Sequence, residues 1–144
     1  MDAENVTRLR RVIGRLARLL NAAPVSENLT PTQASVLGIV AHRGPIGMTE
    51  VADIEGLNPT MLSRVVAKLV DDGFLTRQPD PADQRAVQLG ATDAGRDVHQ
   101  RIIKSRTETV ARILEGLSPD VTEALHDALP ALEALAEGLR SKKH

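Results

Sequence analysis

Residues 51–73 read VADIEGLNPTMLSRVVAKLVDDG, and this stretch constrains the fold more tightly than any other. Apolar residues recur at helical spacing on both sides of Gly56, and Asn58-Pro59 restarts the helix two residues later. Asparagine before proline is a start signal: its side-chain oxygen accepts from a free helix N–H, and proline at the first position has no N–H to satisfy. The chain must therefore turn sharply between two short helices. Ala52 is small where the helices cross, Gly56 adopts positive φ without steric cost, and Leu62 packs back across the corner. Val51, Ile54, Leu57 and Val66 are expected to fill the space beneath. The second helix runs to Asp72 and stops at Gly73. With Leu62, Val65, Val66 and Leu69 inward, its outward face holds Thr60, Ser63, Arg64, Ala67 and Lys68.

The same punctuation divides the rest of the chain. Residues 4–22 form a helix with an apolar stripe of Val6, Leu9, Ile13, Leu16, Leu19 and Leu20, and Arg8, Arg11, Arg15 and Arg18 fall mostly off it. A turn at NAAPVSEN follows. Thr30, Pro31 and Gln33 make a capping box for a helix through Val36, Leu37 and Val40. That helix is expected to close at Gly44 in left-handed geometry, with Pro45 barring its continuation. Thr49 is expected to cap the short helix TEVADIE. Two β-type stretches, FLTRQ and AVQLG, flank PDPADQR and read as a hairpin whose loop prolines stay out of the ladder. Thr92 caps a long helix to about Leu114, with Val98, Ile102, Ile103, Val110, Ile113 and Leu114 as its buried stripe. Ser118-Pro119 opens a last helix carrying Leu125, Leu129, Leu132, Leu135 and Leu139, which Pro130 is expected to kink or split.

A helical corner followed at once by a two-stranded hairpin is a winged-helix arrangement. Its second helix enters the major groove of DNA and the hairpin tip reaches the adjacent minor groove. Arg64 is placed for the bidentate contact to guanine O6 and N7. Thr60 and Ser63 suit a base edge or a phosphate, and Lys68 a phosphate. The positively polarised helix start near Asn58 also favours phosphate.

Residues 73–96, GFLTRQPDPADQRAVQLGATDAGR, contain Asp80-Pro81-Ala82-Asp83-Gln84-Arg85 and Thr92-Asp93-Ala94-Gly95 in register with the corner. This pattern resembles the wing of the MarR (multiple antibiotic resistance regulator) family, and the resemblance extends over essentially the whole chain. It implies a homodimeric transcription regulator, usually a repressor, on a pseudo-palindromic site of double-stranded DNA. It also implies that Arg85 is the wing-tip arginine of the minor groove, that Asp83 holds the wing or orients an arginine by an ion pair, and that Arg77 belongs to the DNA-contacting wing. Ala91 stands where the family usually has leucine, and Gln84 where a second basic residue is common. Members often respond to small aromatic or phenolic anions, and Arg15, Arg18, His42 and Arg43 are the anion contacts the sequence offers.

The fold expected is mostly α with a small β-hairpin wing. Residues 1–28 form an N-terminal dimerisation helix, 29–92 the winged helix-turn-helix lobe, and 93–144 a long linker helix and C-terminal dimerisation helix. A twofold then sets the two reading helices one DNA turn apart, roughly 34 Å. At 42% hydrophobic and 1% aromatic, with Phe74 the one ring of that kind, the core must be aliphatic. No cysteine is present, which removes thiolate metal sites and disulfides. The four histidines, at 42, 99, 126 and 144, are scattered; His99 beside Asp97 and His126 beside Glu123 or Asp127 read as ordinary surface neighbours. Neither a metal site, a cofactor nor an enzymatic constellation is expected. The charged N-terminus and the lack of long apolar runs point to a cytoplasmic protein without a membrane partner. Net charge is −1, and residues 24–90 carry five basic against eight acidic side chains. That acid excess keeps a second class open, a winged-helix module that binds protein instead of DNA.

Overall fold

A computed structural model of the chain describes residues 1–22 and 28–142. Most of the expected turn at NAAPVSEN, and His144, lie outside the described residues. The elements are α1 (Ala3–Ala22), α2 (Pro31–Arg43), β1 (Ile46–Gly47), α3 (Met48–Glu55), α4 (Pro59–Asp71), β2 (Leu75–Pro79), β3 (Val87–Ala91), α5 (Asp93–Glu115) and α6 (Pro119–Lys142). The chain divides into two compact units, Met1–Ser105 and Arg106–His144.

The core lies wholly in the first unit and is aliphatic. Val36, Leu37 and Val40 of α2, Val51 of α3, Leu62, Val66 and Leu69 of α4, Leu75 of β2 and Leu89 of β3 are almost completely enclosed. Each such leucine contributes about 1.5–3 kcal/mol relative to an exposed one. Val98 and Ile102, one turn apart on α5, close the cluster, and Phe74 packs at its margin. Ser35 Oγ donates to Glu55 Oε2 at 2.7 Å and ties α2 to the end of α3.

The sheet has three antiparallel strands in the order β1-β3-β2, where the sequence suggests a two-stranded hairpin. Ile46 pairs with Leu89 and Gly47 with Gln88. This third strand also corrects the start of α3. Pairing holds the backbone extended as far as Gly47, so the helix begins at Met48 with Gly47 as N-cap and no side-chain capping bond. Thr49 is inside the helix. Gly44 is likewise extended, with φ −68° and ψ 155°, and not left-handed. Glycine is required there by proximity: a Cβ would sit 2.5 Å from the Val40 carbonyl oxygen. Pro79, expected in the loop, is the last residue of β2 and faces Val87.

Other expectations change at the surface. Ile54 is 41% exposed, because the corner needs only Val51 from that turn of α3. On α5, Ile103 and Ile113 are exposed and Val110 and Leu114 half-buried, because the helix outruns the core that covers Val98 and Ile102. The helix α6 is continuous and not split at Pro130. Both Pro130 and His126, whose carbonyl loses its helical donor, lie on an exposed stretch. Asp2 stands just before α1, its Oδ1 accepting from Asn5 N at 2.8 Å, and the helix has no buried residue.

Candidate nucleic-acid interface

The corner forms as its residues require. Gly56 is left-handed, with φ 71° and ψ 31°, and its N–H donates to the Ala52 carbonyl, closing α3. Leu57 N donates to the same oxygen at 3.1 Å. Asn58 Oδ1 then accepts from Met61 N at 2.8 Å and starts α4, with Pro59 in the first turn. Asn58 is therefore occupied in capping, and its amide NH2 remains available to a ligand. Between α3 and α4 an open hollow of about 330 Å³ is lined by Met48, Ala52, Leu57 and Leu62 among others.

Burial sorts the faces of α4. Leu62, Val66 and Leu69 are enclosed and Val65 is half-buried, while Thr60, Ser63, Arg64 and Lys68 are exposed and Ala67 is half-buried. Met61 is also exposed, at 50%, although its character gives no reason to leave the core. Its place on the helical wheel puts it beside Arg64 and Lys68, three and seven residues on. That periodicity is the signal that finds it; apolar composition alone hides it. Lys68 Nζ is 3.1 Å from Asp72 Oδ1, one turn later. No acidic side chain lies within ion-pair distance of Arg64 among the described residues.

The wing follows after Gly73, which is left-handed at φ 82°. β2 and β3 pair from Leu75↔Ala91 to Pro79↔Val87. Side chains alternate between sheet faces, and directly paired residues share one. Arg77, two residues past buried Leu75 and opposite buried Leu89, therefore leaves the sheet on the face that looks to the helices. It is exposed because β2 is an edge strand of the sheet. The tip is organised by two aspartates. Asp80 Oδ1 accepts from Ala82 N at 2.8 Å, and Asp83 Oδ1 accepts from Arg85 N at 3.1 Å and Arg85 Nε at 3.4 Å. Asp83 thus pairs with the arginine two residues on, and the Arg85 side chain is 94% exposed.

The threonine and glycine after the wing have a geometric reason. Thr92 Oγ1 donates to the Gly73 carbonyl at 2.6 Å and accepts from Gly95 N at 3.0 Å, while Thr92 N donates to the Phe74 carbonyl. A Cβ on Gly95 would lie 2.1 Å from that Phe74 oxygen. One hydroxyl and one missing methyl clamp both ends of the hairpin to the first turn of α5.

The four residues nominated for an anion are less concentrated. Arg15 and Arg18 are exposed on α1. His42 and Arg43 are exposed in the last turn of α2, where cations suit the helix dipole, and Arg43 is 3.8 Å from Glu50. His99 is no ordinary surface neighbour: it is half-buried, with its ring against Gly38 of α2, where a Cβ would come within 3.0 Å. His126 and Asp127 are an exposed pair 3.3 Å apart, as read. Among the described residues no helix is long and apolar enough to cross a membrane.

Residues 29–87 match the sequence model of the MarR family. Over 136 residues the chain is 29% identical to the uncharacterized HTH-type transcriptional regulator Mb0904 of Mycobacterium bovis, covering 94% of this chain and 95% of the other. The crystal structure of RV1404 from Mycobacterium tuberculosis superposes with a TM-score of 0.77 at 29% identity, covering 95% of each chain. The fold is also that of Streptococcus pneumoniae FabT, whose structure is in complex with DNA. There the TM-score is 0.64 at 16% identity, over 94% of this chain and 95% of that one.

Proposed function

We propose a dimeric, operator-binding role for this chain, which belongs to the MarR family of transcriptional regulators. In this reading it is a repressor of a pseudo-palindromic site, with α4 in the major groove and the wing tip in the adjacent minor groove. The observation that carries the reading is the division of α4. Its apolar residues are enclosed, while Thr60, Ser63, Arg64 and Lys68 stand exposed on the element that leads directly into the wing. Arg64 reads guanine, Thr60 and Ser63 contact base edges or phosphates, and Lys68 and the capped helix start at Asn58 hold phosphate. Arg85 enters a narrow A·T-rich minor groove with Asp83 setting its direction, and Arg77 meets the backbone between.

A second copy supplies the symmetry. The stripes on α1 and α6 stay exposed in the single chain, as at Leu16, Leu19, Leu129 and Leu139, and bury against their counterparts in the dimer. Relief by a small aromatic anion acts through Arg15, Arg18, His42 and Arg43, and an aromatic carboxylate titrated into the DNA complex tests it by release of the duplex.

The deciding experiment is fluorescence anisotropy with the DNA upstream of the gene. Nanomolar, steeply salt-dependent and sequence-selective binding is expected. Micromolar binding indifferent to sequence removes the operator reading and favours a module that binds protein.

A further inference from the structure

The lobe from residue 29 to 92 has five lysines and arginines, namely Arg43, Arg64, Lys68, Arg77 and Arg85. Three of them carry an acid of their own: Glu50 beside Arg43, Asp72 beside Lys68 and Asp83 beside Arg85. Among the described residues Arg64 and Arg77 have no such neighbour. The tightest of the three pairs is Lys68–Asp72, a hydrogen-bonded contact of 3.1 Å on the reading helix itself.

The position of Asp72 is unfavourable for the helix. It is the C-cap residue of α4, exposed at the surface, with its N–H bonded to the carbonyls of Lys68 and Val70. A carboxylate at that end meets the negative pole of the helix dipole. Asp71 lies next to it and is exposed, with no cation within ion-pair distance among the described residues. The helix dipole therefore gives no reason for Asp72, whereas its pair with Lys68 one turn back does.

We propose that Asp72 is a positioning residue that competes with DNA phosphate for the Lys68 ammonium and so limits the affinity of the lobe for any duplex. The proposal rests on the operator-binding reading above. A lysine held by its own carboxylate displaces no condensed counterion until phosphate takes it from that carboxylate, and an exposed pair one turn apart is weak enough for the exchange. Lys68 is then a conditional contact, made only where the other contacts hold the helix long enough. Off the operator, where attraction is purely electrostatic, its contribution is withheld.

The test is anisotropy on a random duplex and on the upstream DNA, from 0.05 to 0.3 M salt (about a sixfold range). Asp72→Asn should raise affinity about eightfold at 0.1 M salt and steepen the logarithmic salt slope by about 0.9, the value of one added phosphate contact. That gain is expected on the random duplex, and on the upstream DNA, where Lys68 already reaches phosphate, it should be smaller. Asp72→Ser must reproduce it, Asp72→Glu must return it towards wild type, and in a Lys68→Ala background Asp72→Asn must change nothing. An unchanged slope in Asp72→Asn, or an equal gain without Lys68, overturns the proposal while leaving the operator reading intact. Wild-type protein that binds no duplex with salt dependence fails the operator reading first.

Discussion

Single residues at the foot of the wing hold backbone to backbone, and this is where substitution is least tolerated. Gly95 faces the Phe74 carbonyl at a distance that admits no Cβ, and neither partner is a flexible side chain. Gly95→Ala should therefore destabilise the lobe by about 3 kcal/mol, the upper part of the usual overpacking range. A urea midpoint within experimental error of wild type would refute the clamp. Arg64 is a residue of the opposite kind, exposed and structurally idle. Arg64→Ala should leave that midpoint unchanged and cost about 1–3 kcal/mol of discrimination at one base pair. Binding selection that returns the same consensus for wild type and variant would exclude Arg64 as the reader. Both residues are named by the sequence, but for unlike reasons. Arg64 follows from helical spacing, whereas the reason for Gly95 is a carbonyl contributed from the far side of the hairpin, which no local pattern encodes.

Short elements here are delimited by caps more than by propensity. The capping box at Thr30 and Gln33 is formed in both directions, at 3.1 and 3.0 Å, and Asn58 starts α4 with a single bond. Asn58→Ala should cost about 1 kcal/mol of stability and Asn58→Ser much less, since serine caps nearly as well. Thermal melting of the two variants checks the order, and equal losses would argue that the Asn58 side chain does something other than cap. The starts of α2, α4, α5 and α6 were legible from such signals, whereas the start of α3 was misplaced at Thr49, because Gly47 begins that helix with no side-chain cap. Two further features were not legible. A two-residue strand such as Ile46–Gly47 is too brief to show an alternation, and it exists only because β3 offers it an edge. The exposure of Ile54 and Ile103 was also illegible, because the apolar stripe of a helix does not say where its core ends.

On the scale of the whole molecule, the aliphatic core is confined to residues 29–102, and α1 and α6 have no buried residue among those described. A leucine such as Leu129, half exposed in the single chain, contributes little to that chain's own fold. Leu129→Glu should accordingly melt its secondary structure near the wild-type temperature when monomeric, yet move sedimentation equilibrium from dimer towards monomer. Wild-type protein that sediments as a monomer at micromolar concentration would end the paired reading. The sheet has a mechanical consequence at this scale. β3 is laced on one side to β2 and on the other to the segment that runs without a break into α3, and α3 and α4 share one corner. The blade and the groove-seeking rod are thus rigged to a single lever. On the operator-binding reading, a force that tilts one is expected to swing the other, so that one small rotation would release the duplex.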